Sequence, residues 1–151
     1  MKKILLLPLC AWLMLCASLG LCTSCDIHMS DNGQLDGFWQ LERIDTLDGG
    51  GSLDARPQRQ FWSVQCDLLQ MSDLNYRHDE YIWRFDHTGN TLRLYAPYCV
   101  DHAGHDRPVS DAQELEFYGV QNLEETYDIE QLDDRHMTLR SPLLRLRFNR
   151  Y

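Results

Sequence analysis

The densest group of chemically useful side chains lies in the loop from Cys99 to Asp106. This loop holds His102 and His105, three residues apart, with a thiol and carboxylates close by in sequence. Zinc binds thiolate, imidazole and carboxylate groups, and a helical turn would bring both imidazoles to one ion. However, the spacing matches no closed four-ligand pattern, and polar surface loops have the same composition. His102 and His105 are therefore the candidate ligands, but we expect a solvated loop and no metal or other cofactor.

Other histidines lie beside acidic residues without the partners that nucleophilic catalysis needs. His78 precedes Asp79-Glu80, and His87 follows Asp86. A catalytic triad requires a nucleophile, a base and an orienting group in register. The chain contains no Gly-x-Ser-x-Gly, Walker or His-Glu-x-x-His motif. The thiol of Cys66 is a conceivable nucleophile, but its apolar neighbours indicate a core position. We expect no enzymatic activity.

Aromatic side chains are the strongest indication of a binding site. The chain has four Trp, seven Tyr and five Phe, and only Trp12 of the tryptophans lies in the first 24 residues. An apolar pocket lined by aromatic rings would bind an apolar or flat small molecule. The candidates for such a lining are Trp39, Trp62, Trp83 and Tyr95. The alternative is that these side chains only fill the core.

The first 25 residues are organised like an export signal. Lys2-Lys3 is followed by an uncharged, mostly apolar run from Ile4 to Cys22 and then by Thr23-Ser24-Cys25. This order of regions is typical of a secretory signal, and a retained membrane helix is the alternative. The end of the run resembles the lipobox of bacterial lipoproteins, in the looser form found in Bacteroidetes. The resemblance implies that Cys25 is lipidated; Cys22 is disfavoured by the bulky residue before it.

Cleavage before Cys25 would divide the chain into a signal (1–24), a polar tether (25–36) and a domain (37–151). The mature chain would have 127 residues, with 12 arginines against 23 acidic residues and a net charge of −11. This acidity disfavours nucleic acid as a partner. We expect an outer-membrane lipoprotein of the cell envelope, on the periplasmic or surface face, attached to the membrane by its N-terminal lipid. Cys66 and Cys99 could pair as a disulfide in that compartment, and two buried thiols are the alternative.

From Gly37 onward the sequence predicts an all-β domain with one short helix. Apolar residues alternate with period two in short runs, and turn residues separate the runs. The helix is expected to begin at the N-cap Ser110 and to end at Gly119. About seven strands follow from this pattern, over 38–45, 59–69, 81–86, 91–95, 125–131, 136–140 and 143–149.

The two ends of the domain resemble those of a lipocalin. Gly37-Phe38-Trp39 opens the domain, and a strand ending at Tyr151 closes it. The whole region is similar to the small lipocalin-like domains of Bacteroidetes lipoproteins, several of which belong to families of unknown function. The resemblance implies a small antiparallel up-and-down β-barrel. It also implies that Trp39 packs across the closed end of the barrel, under Arg145 or Arg147 of the last strand.

Two functions fit these observations. The first is a non-enzymatic, lipid-anchored barrel that binds a small apolar ligand or a protein partner, with an internal pocket bordered by Trp62, Trp83 and Tyr95. The second is an acidic interaction module that binds a basic protein, such as an inhibitor of a cationic envelope enzyme or a subunit of a surface complex. This second function predicts a contiguous acidic patch formed by Glu114, Glu116, Glu124, Glu125 and Asp128.

Overall fold

The computed structural model describes residues 30–151. The predicted signal, the lipidation site Cys25 and most of the tether lie outside the described residues. Three short 3-10 helices accompany the strands, at Gly33–Leu35, Arg56–Gln58 and Ala112–Tyr118. The strands are β1 (Gly37–Thr46), β2 (Ser52–Asp54), β3 (Gln60–Gln65), β4 (Leu68–Asp73), β5 (Tyr81–Thr88), β6 (Thr91–Cys99), β7 (Arg107–Pro108), β8 (Glu125–Leu132), β9 (His136–Arg140) and β10 (Leu144–Arg150).

Eight of these strands close into an antiparallel barrel. The order around the barrel is β1, β3, β4, β5, β6, β8, β9 and β10, and β10 pairs again with β1. The short strands β2 and β7 pair with β1 and β6 outside this ring. Closure leaves no free sheet edge in the ring, which is how small antiparallel barrels avoid edge-to-edge association. The predicted all-β, up-and-down barrel is confirmed.

The barrel has two different ends. The closed end carries the short turns at 66–67, 89–90 and 133–135, together with the entering segment 30–36. The loop end carries the long connections at 47–59, 74–80 and 100–124 and the short connection at 141–143. Long connections at one end of a rigid barrel are where binding residues are usually placed.

Period-two alternation puts apolar side chains inside the barrel. On β5, Tyr81, Trp83 and Phe85 are buried. On β10, Leu146 and Phe148 are buried. Successive side chains of a strand point to opposite faces of the sheet, so the intervening polar residues face outward. The same alternation on every strand fills the barrel with one continuous apolar core.

The run 59–69 is two strands, whereas the sequence predicted one. A tight turn at Cys66 and Asp67 joins β3 to β4, with Gln65 paired to Leu68. The backbone of Cys66 is left-handed (φ 54°), as the first residue of several two-residue hairpin turns must be. Because neither turn residue is glycine or asparagine, the period-two pattern continues through the turn and conceals it. This turn accounts for the eighth barrel strand.

β6 is longer than predicted because it contains a bulge. Ala96 has a left-handed backbone (φ 50°), and the register with β5 shifts beside it. An extra residue in one strand exchanges inward and outward positions beyond it. Cys99 is consequently buried at the end of β6, although the sequence placed it at the start of a solvated loop.

The predicted short helix is present as the 3-10 helix Ala112–Tyr118. Its N-cap is Asp111 rather than the predicted Ser110, because the Asp111 carboxylate accepts a hydrogen bond from the backbone N–H of Gln113 at 2.9 Å. Gly119 ends the helix with a left-handed backbone (φ 81°), as predicted.

Candidate functional site

The interior of the barrel is lined by aromatic side chains that meet across it. Trp39, Trp62 and Trp83 are fully buried. The ring of Trp62 contacts Tyr127 edge to face, with 5.9 Å between ring centroids. Strands β3 and β8 lie opposite each other in the ring of eight, so this contact spans the barrel. Phe148 packs 4.9 Å from the Trp62 ring on another side.

Tyr95 is not part of this lining. It lies on the outer face of β6, where the guanidinium of Arg93 stacks 4.8 Å above its ring. The prediction of an internal pocket bordered by Trp62, Trp83 and Tyr95 is therefore wrong. Leu92 and Leu94 face inward on β6, and alternation places Tyr95 outward.

A tryptophan–arginine stack seals the closed end. The guanidinium of Arg150 lies 4.5 Å above the Trp39 ring. The Trp39 indole N–H donates to the carbonyl of Leu35 at 2.9 Å, and Arg150 donates to the carbonyl of Gln34 at 2.6 Å. Gly37 has φ 143°, and a Cβ there would lie 3.1 Å from the Arg150 guanidinium. Glycine is thus required for the close approach of the arginine.

The stacked arginine is Arg150, whereas Arg145 or Arg147 was predicted. The register of β1 with β10 places Trp39 directly opposite Arg150. Arg145 instead pairs with Glu130 at 2.7 Å, and Arg147 pairs with Asp45 at 3.2 Å, both on the outer face.

The start of the described chain is attached beside the closed end. The Ser30 hydroxyl accepts a hydrogen bond from the backbone N–H of Cys66 at 2.7 Å, and the Asn32 side chain donates to the carbonyl of Cys66 at 2.7 Å. Burial raises the pKa of Asp36, but hydrogen bonds from Ser30 and Asn32 outweigh it and hold that pKa below its usual value. This polar network fixes the point at which the chain enters the barrel.

The loop end is covered by residues Val109–Val120, which we call the plug. The plug contains the third 3-10 helix and buries Val109, Leu115, Tyr118 and Val120 against the barrel interior. Its residues 109–120 contribute no strand to the barrel. A backbone hydrogen bond from Val109 to the carbonyl of Pro97, at 2.9 Å, attaches its beginning.

Side-chain hydrogen bonds attach the rest of the plug. The Tyr118 hydroxyl donates to the carbonyl of Asp79 at 2.8 Å, and the Tyr127 hydroxyl donates to the carbonyl of Gly119 at 3.3 Å. The Gln60 amide donates to the carbonyl of Phe117. Burial, with a smaller contribution from a nearby carboxylate, raises the pKa of Tyr127 well above its ordinary value, so this hydroxyl remains a donor.

A histidine and a buried carboxylate connect the 74–80 loop to the plug. The His78 ring stacks on Phe117 with 3.4 Å between centroids, and its Nδ1 lies 3.1 Å from the Asp73 carboxylate. Burial alone would raise the pKa of Asp73. Hydrogen bonds from the Asn75 and Arg77 backbone and from His78 lower it by more than burial raises it, so the net shift of the pKa is downward. Sequence reasoning missed this group because its members are ordinary loop residues until the fold brings them together.

Four buried polar atoms have no hydrogen-bond partner among the described residues; one is Nε of Arg150 at the closed end, and the other three lie in the interior. These three are Oε1 of Gln60 and the indole nitrogens of Trp62 and Trp83. All three side chains are fully buried. Buried polar groups are almost always paired in folded proteins, so each exception needs an explanation.

The structure assembles no metal site around the two candidate histidines. His102 is largely exposed, and its Nε2 lies 3.4 Å from the carboxylate of Glu80. His105 is exposed as well. Within residues 30–151 no group of three or more His, Cys, Asp or Glu side chains is placed to hold a metal ion.

The predicted disulfide between Cys66 and Cys99 is not formed. Cys99 carries a free, buried thiol beside Tyr81, whereas Cys66 lies in the turn at the closed end. The strand register separates the two by at least about 10 Å along the strands. A disulfide requires Cα atoms within about 7 Å.

The predicted acidic patch is also not formed. Glu125 is buried and accepts hydrogen bonds from Gln121 and Asn122. Two other members are neutralised by arginines: Glu114 lies 2.5 Å from Arg107, and Glu124 lies 2.9 Å from Arg93. Only Glu116 and Asp128 remain as exposed acids of the predicted set without a recorded ion pair.

An eight-stranded up-and-down barrel, with Gly-x-Trp on its first strand and an arginine stacked on that tryptophan, defines a lipocalin-type protein. The model of the lipocalin-like domain family matches residues 19–151, and the chain belongs to this family. The predicted resemblance is thereby confirmed. A barrel of this family is compatible with ligand binding.

Two solved structures share the fold. A lipocalin-like protein from Bacteroides uniformis superposes with a TM-score of 0.58 and 18% identity, over 79% of this chain and all of that one. An uncharacterised protein from Bacteroides eggerthii superposes with a TM-score of 0.55 and 18% identity, over 77% of this chain and 98% of that one. A comparison with curated proteins found no match. In the part of the chain from residue 30 onward, no helix is long and apolar enough to cross a membrane.

Proposed function

We propose that this protein is a lipid-anchored, non-enzymatic binding protein of the cell envelope that takes a small apolar ligand into its barrel. The observation that carries the proposal is the plug. The plug covers an aromatic interior, yet it contains none of the eight strands of the barrel ring. Ligand sites of barrels lie at such a mouth, between loops supported by a rigid sheet.

Displacing the plug would leave the barrel ladder intact. The eight strands pair with one another around the whole ring, whereas the hydrogen bonds that attach the plug come mainly from the side chains of Gln60, Tyr118 and Tyr127. Segments outside the main hydrogen-bonded ladder can open locally at a free-energy cost below that of global unfolding. Withdrawal of the plug would expose Trp62 and its aromatic neighbours and create the pocket that the closed structure lacks.

The position of Ser30 supports a particular orientation on the membrane. Ser30 is bound to the turn at the closed end, and Cys25 precedes it by five residues. Five residues span at most about 18 Å. A lipid on Cys25 would therefore keep the closed end near the outer membrane and direct the plug away from it. The same orientation is expected whether the protein lies on the periplasmic or on the surface face of the outer membrane.

The lipid anchor is tested by labelling cells with palmitate. The wild-type chain should carry the label and sediment with membranes, and Cys25→Ser should lose both properties. Cys22→Ser is the matched control and should behave as wild type. A Cys25→Ser chain that retains label and membrane association would contradict the anchor.

Ligand binding is tested by native mass spectrometry of the protein purified from its own host and by titration with the apolar probe N-phenyl-1-naphthylamine. We expect a retained small molecule and saturable probe binding. Leu69→Trp, which adds bulk beside Trp83 inside the barrel, should remove both, while Tyr95→Phe on the outer face should not. Equal probe binding by wild type and Leu69→Trp, with circular dichroism showing both folded, would exclude a site in the barrel.

A protein partner is the second candidate, and the structure favours it less. The mature chain would still carry a net charge of −11, which would accelerate association with a basic protein. Three of the five acids expected to form its contact surface are instead divided between a buried hydrogen-bond network and arginine pairs. The apolar ligand is therefore the function that the geometry supports best.

A further inference from the structure

We infer that the ligand of this barrel is an apolar molecule with a hydrogen-bond acceptor, such as a carbonyl oxygen, and that the acceptor pairs with the indole N–H of Trp62 or Trp83. The inference rests on the proposed binding of a ligand inside the barrel. It specifies the chemical class that the interior selects.

The three described tryptophans differ in how their indole N–H groups are satisfied. The N–H of Trp39 donates to the carbonyl of Leu35 at 2.9 Å. The N–H groups of Trp62 and Trp83 have no partner among residues 30–151, although both side chains are fully buried. An indole has only this donor and no acceptor. A ligand that supplies an acceptor would therefore relieve an unfavourable feature of the closed barrel.

Both indoles belong to the same wall of the barrel. Trp62 on β3 lies opposite Met71 of β4, and Trp83 on β5 lies opposite Leu69 of β4. Their positions differ by about 7 Å along the strands and about 10 Å across them. One small planar molecule against β4 could reach either N–H without displacing the other tryptophan.

Gln60 adds a third buried polar side chain to this set, at the loop end of the barrel. Its amide nitrogen donates to the carbonyl of Phe117 in the plug and to the side chain of Gln58 at 2.9 Å, while its Oε1 has no partner in the described part of the chain. When the plug withdraws, the amide loses Phe117 and becomes available to an entering molecule. A hydrocarbon would satisfy none of these groups, whereas a ketone or ester of similar shape would satisfy at least one.

The test compares two probes of matched shape, 1-indanone with a carbonyl and indane without one. The full chain, labelled with 15N at tryptophan, is titrated with each probe in the same detergent, and free probe concentrations are measured. The indole resonances are assigned with Trp62→Phe and Trp83→Phe. Trp39 is the internal reference because its N–H is already bonded to Leu35.

We expect 1-indanone to bind about tenfold more tightly than indane, the usual net effect of one hydrogen bond. The N–H proton of Trp62 or Trp83 should move downfield with 1-indanone only, and that of Trp39 should not move. The preference for 1-indanone should fall to within twofold when the responding tryptophan is replaced. If Trp→Phe disturbs folding, β-(3-benzothienyl)alanine at the same position keeps the ring shape and removes only the N–H.

The outcomes separate this inference from the proposed function. Equal affinity for the two probes would overturn the acceptor requirement and keep the barrel as a binding site; the indole N–H groups would then be satisfied by solvent. A preference for 1-indanone that survives replacement of both indole N–H groups would overturn the assignment to Trp62 and Trp83. No response of any tryptophan to either probe would overturn both proposals.

Discussion

Replacing Gly119 by alanine is predicted to destabilise the closed position of the plug by about 2–4 kcal/mol. Gly119 has φ 81°, a left-handed conformation that costs alanine roughly 1 kcal/mol relative to glycine. A Cβ at this position would also lie 2.8 Å from Cδ2 and 3.2 Å from Cδ1 of Leu146, which is fully buried on β10. Forcing an extra methyl group into a packed contact costs roughly 1–3 kcal/mol more.

Gly89→Ala is the matched control. Gly89 also has a left-handed backbone (φ 57°), but a Cβ there meets no atom within 4 Å. Gly89→Ala should lower the free energy of unfolding only by the backbone cost of roughly 1 kcal/mol. The difference between the two variants therefore isolates the contact of the plug with Leu146.

The assay is amide hydrogen exchange of the plug, read together with urea unfolding of the whole barrel. Because the plug is not part of the barrel ladder, we expect the Val120 amide to lose protection by roughly 30- to 800-fold in Gly119→Ala, which corresponds to about 2–4 kcal/mol. The core amides of β5 should keep most of their protection. Leu146→Val, which shortens the opposing side chain, should restore part of the protection in the double variant.

Two results would refute this reasoning. Equal effects of Gly119→Ala and Gly89→Ala would show that Leu146 does not restrict the plug. Loss of protection throughout the barrel, in proportion to the loss in the plug, would show that the plug opens only with global unfolding. In that case the loop end could not admit a ligand while the barrel remains folded.

Three further changes test other parts of the structure. Arg150→Gln removes the guanidinium over Trp39 and should lower the free energy of unfolding by roughly 1–2 kcal/mol in urea titrations. Asp73→Asn should lose roughly 1–3 kcal/mol at neutral pH; because the folded pKa of Asp73 lies below its ordinary value of 3.8, this difference should begin to shrink near pH 3.8 and be lost as the pH falls through the lower folded pKa. The Cys99 thiol, whose pKa is raised by burial and by Asp79, should react with a disulfide reagent more than about tenfold more slowly than in the unfolded chain, as followed by peptide mass mapping.

Each of these predictions has a contrary outcome. Arg145→Gln, on the outer face, is the control for the stacked arginine, and an equal loss in both variants would remove the special role of the stack. A difference between wild type and Asp73→Asn that does not shrink at all as the pH falls from neutral to well below 3.8 would show that ionisation of Asp73 contributes nothing to its stabilising effect. Fast labelling of Cys99 in the native protein would show that its end of β6 opens readily.

Much of the fold follows from local patterns in the sequence. The period-two alternation on β5 and β10 matches the structure, in which the apolar residues of both strands face inward, because a side chain's face is set by its own strand. Gly119 was correctly predicted to end the short helix, since a left-handed residue after a helix favours glycine. The turn at Cys66 was missed because its residues lack the usual turn signal, and Tyr95 was placed on the wrong face.

The candidate site was less predictable than the fold. The sequence identified Trp39, Trp62 and Trp83 as the aromatic side chains of interest, but not which of their N–H groups would find a partner. That depends on Leu35 reaching Trp39, while no carbonyl among the described residues reaches Trp62 or Trp83. Whether a buried N–H group finds an acceptor depends on three-dimensional packing, and the hydrophobic periodicity of the sequence does not predict it.

By itself the sequence determined the strand-rich domain, its inward faces and the Gly37–Trp39 element of a lipocalin-like barrel. Only the tertiary structure decided that Arg150 stacks on Trp39, that Val109–Val120 covers the loop end and that Cys66 and Cys99 lie apart. The physical reason is the register. Pairing of β1 with β10 joins residues 98 to 111 positions apart in the chain, and a shift of one residue would exchange the inward and outward faces of the whole strand.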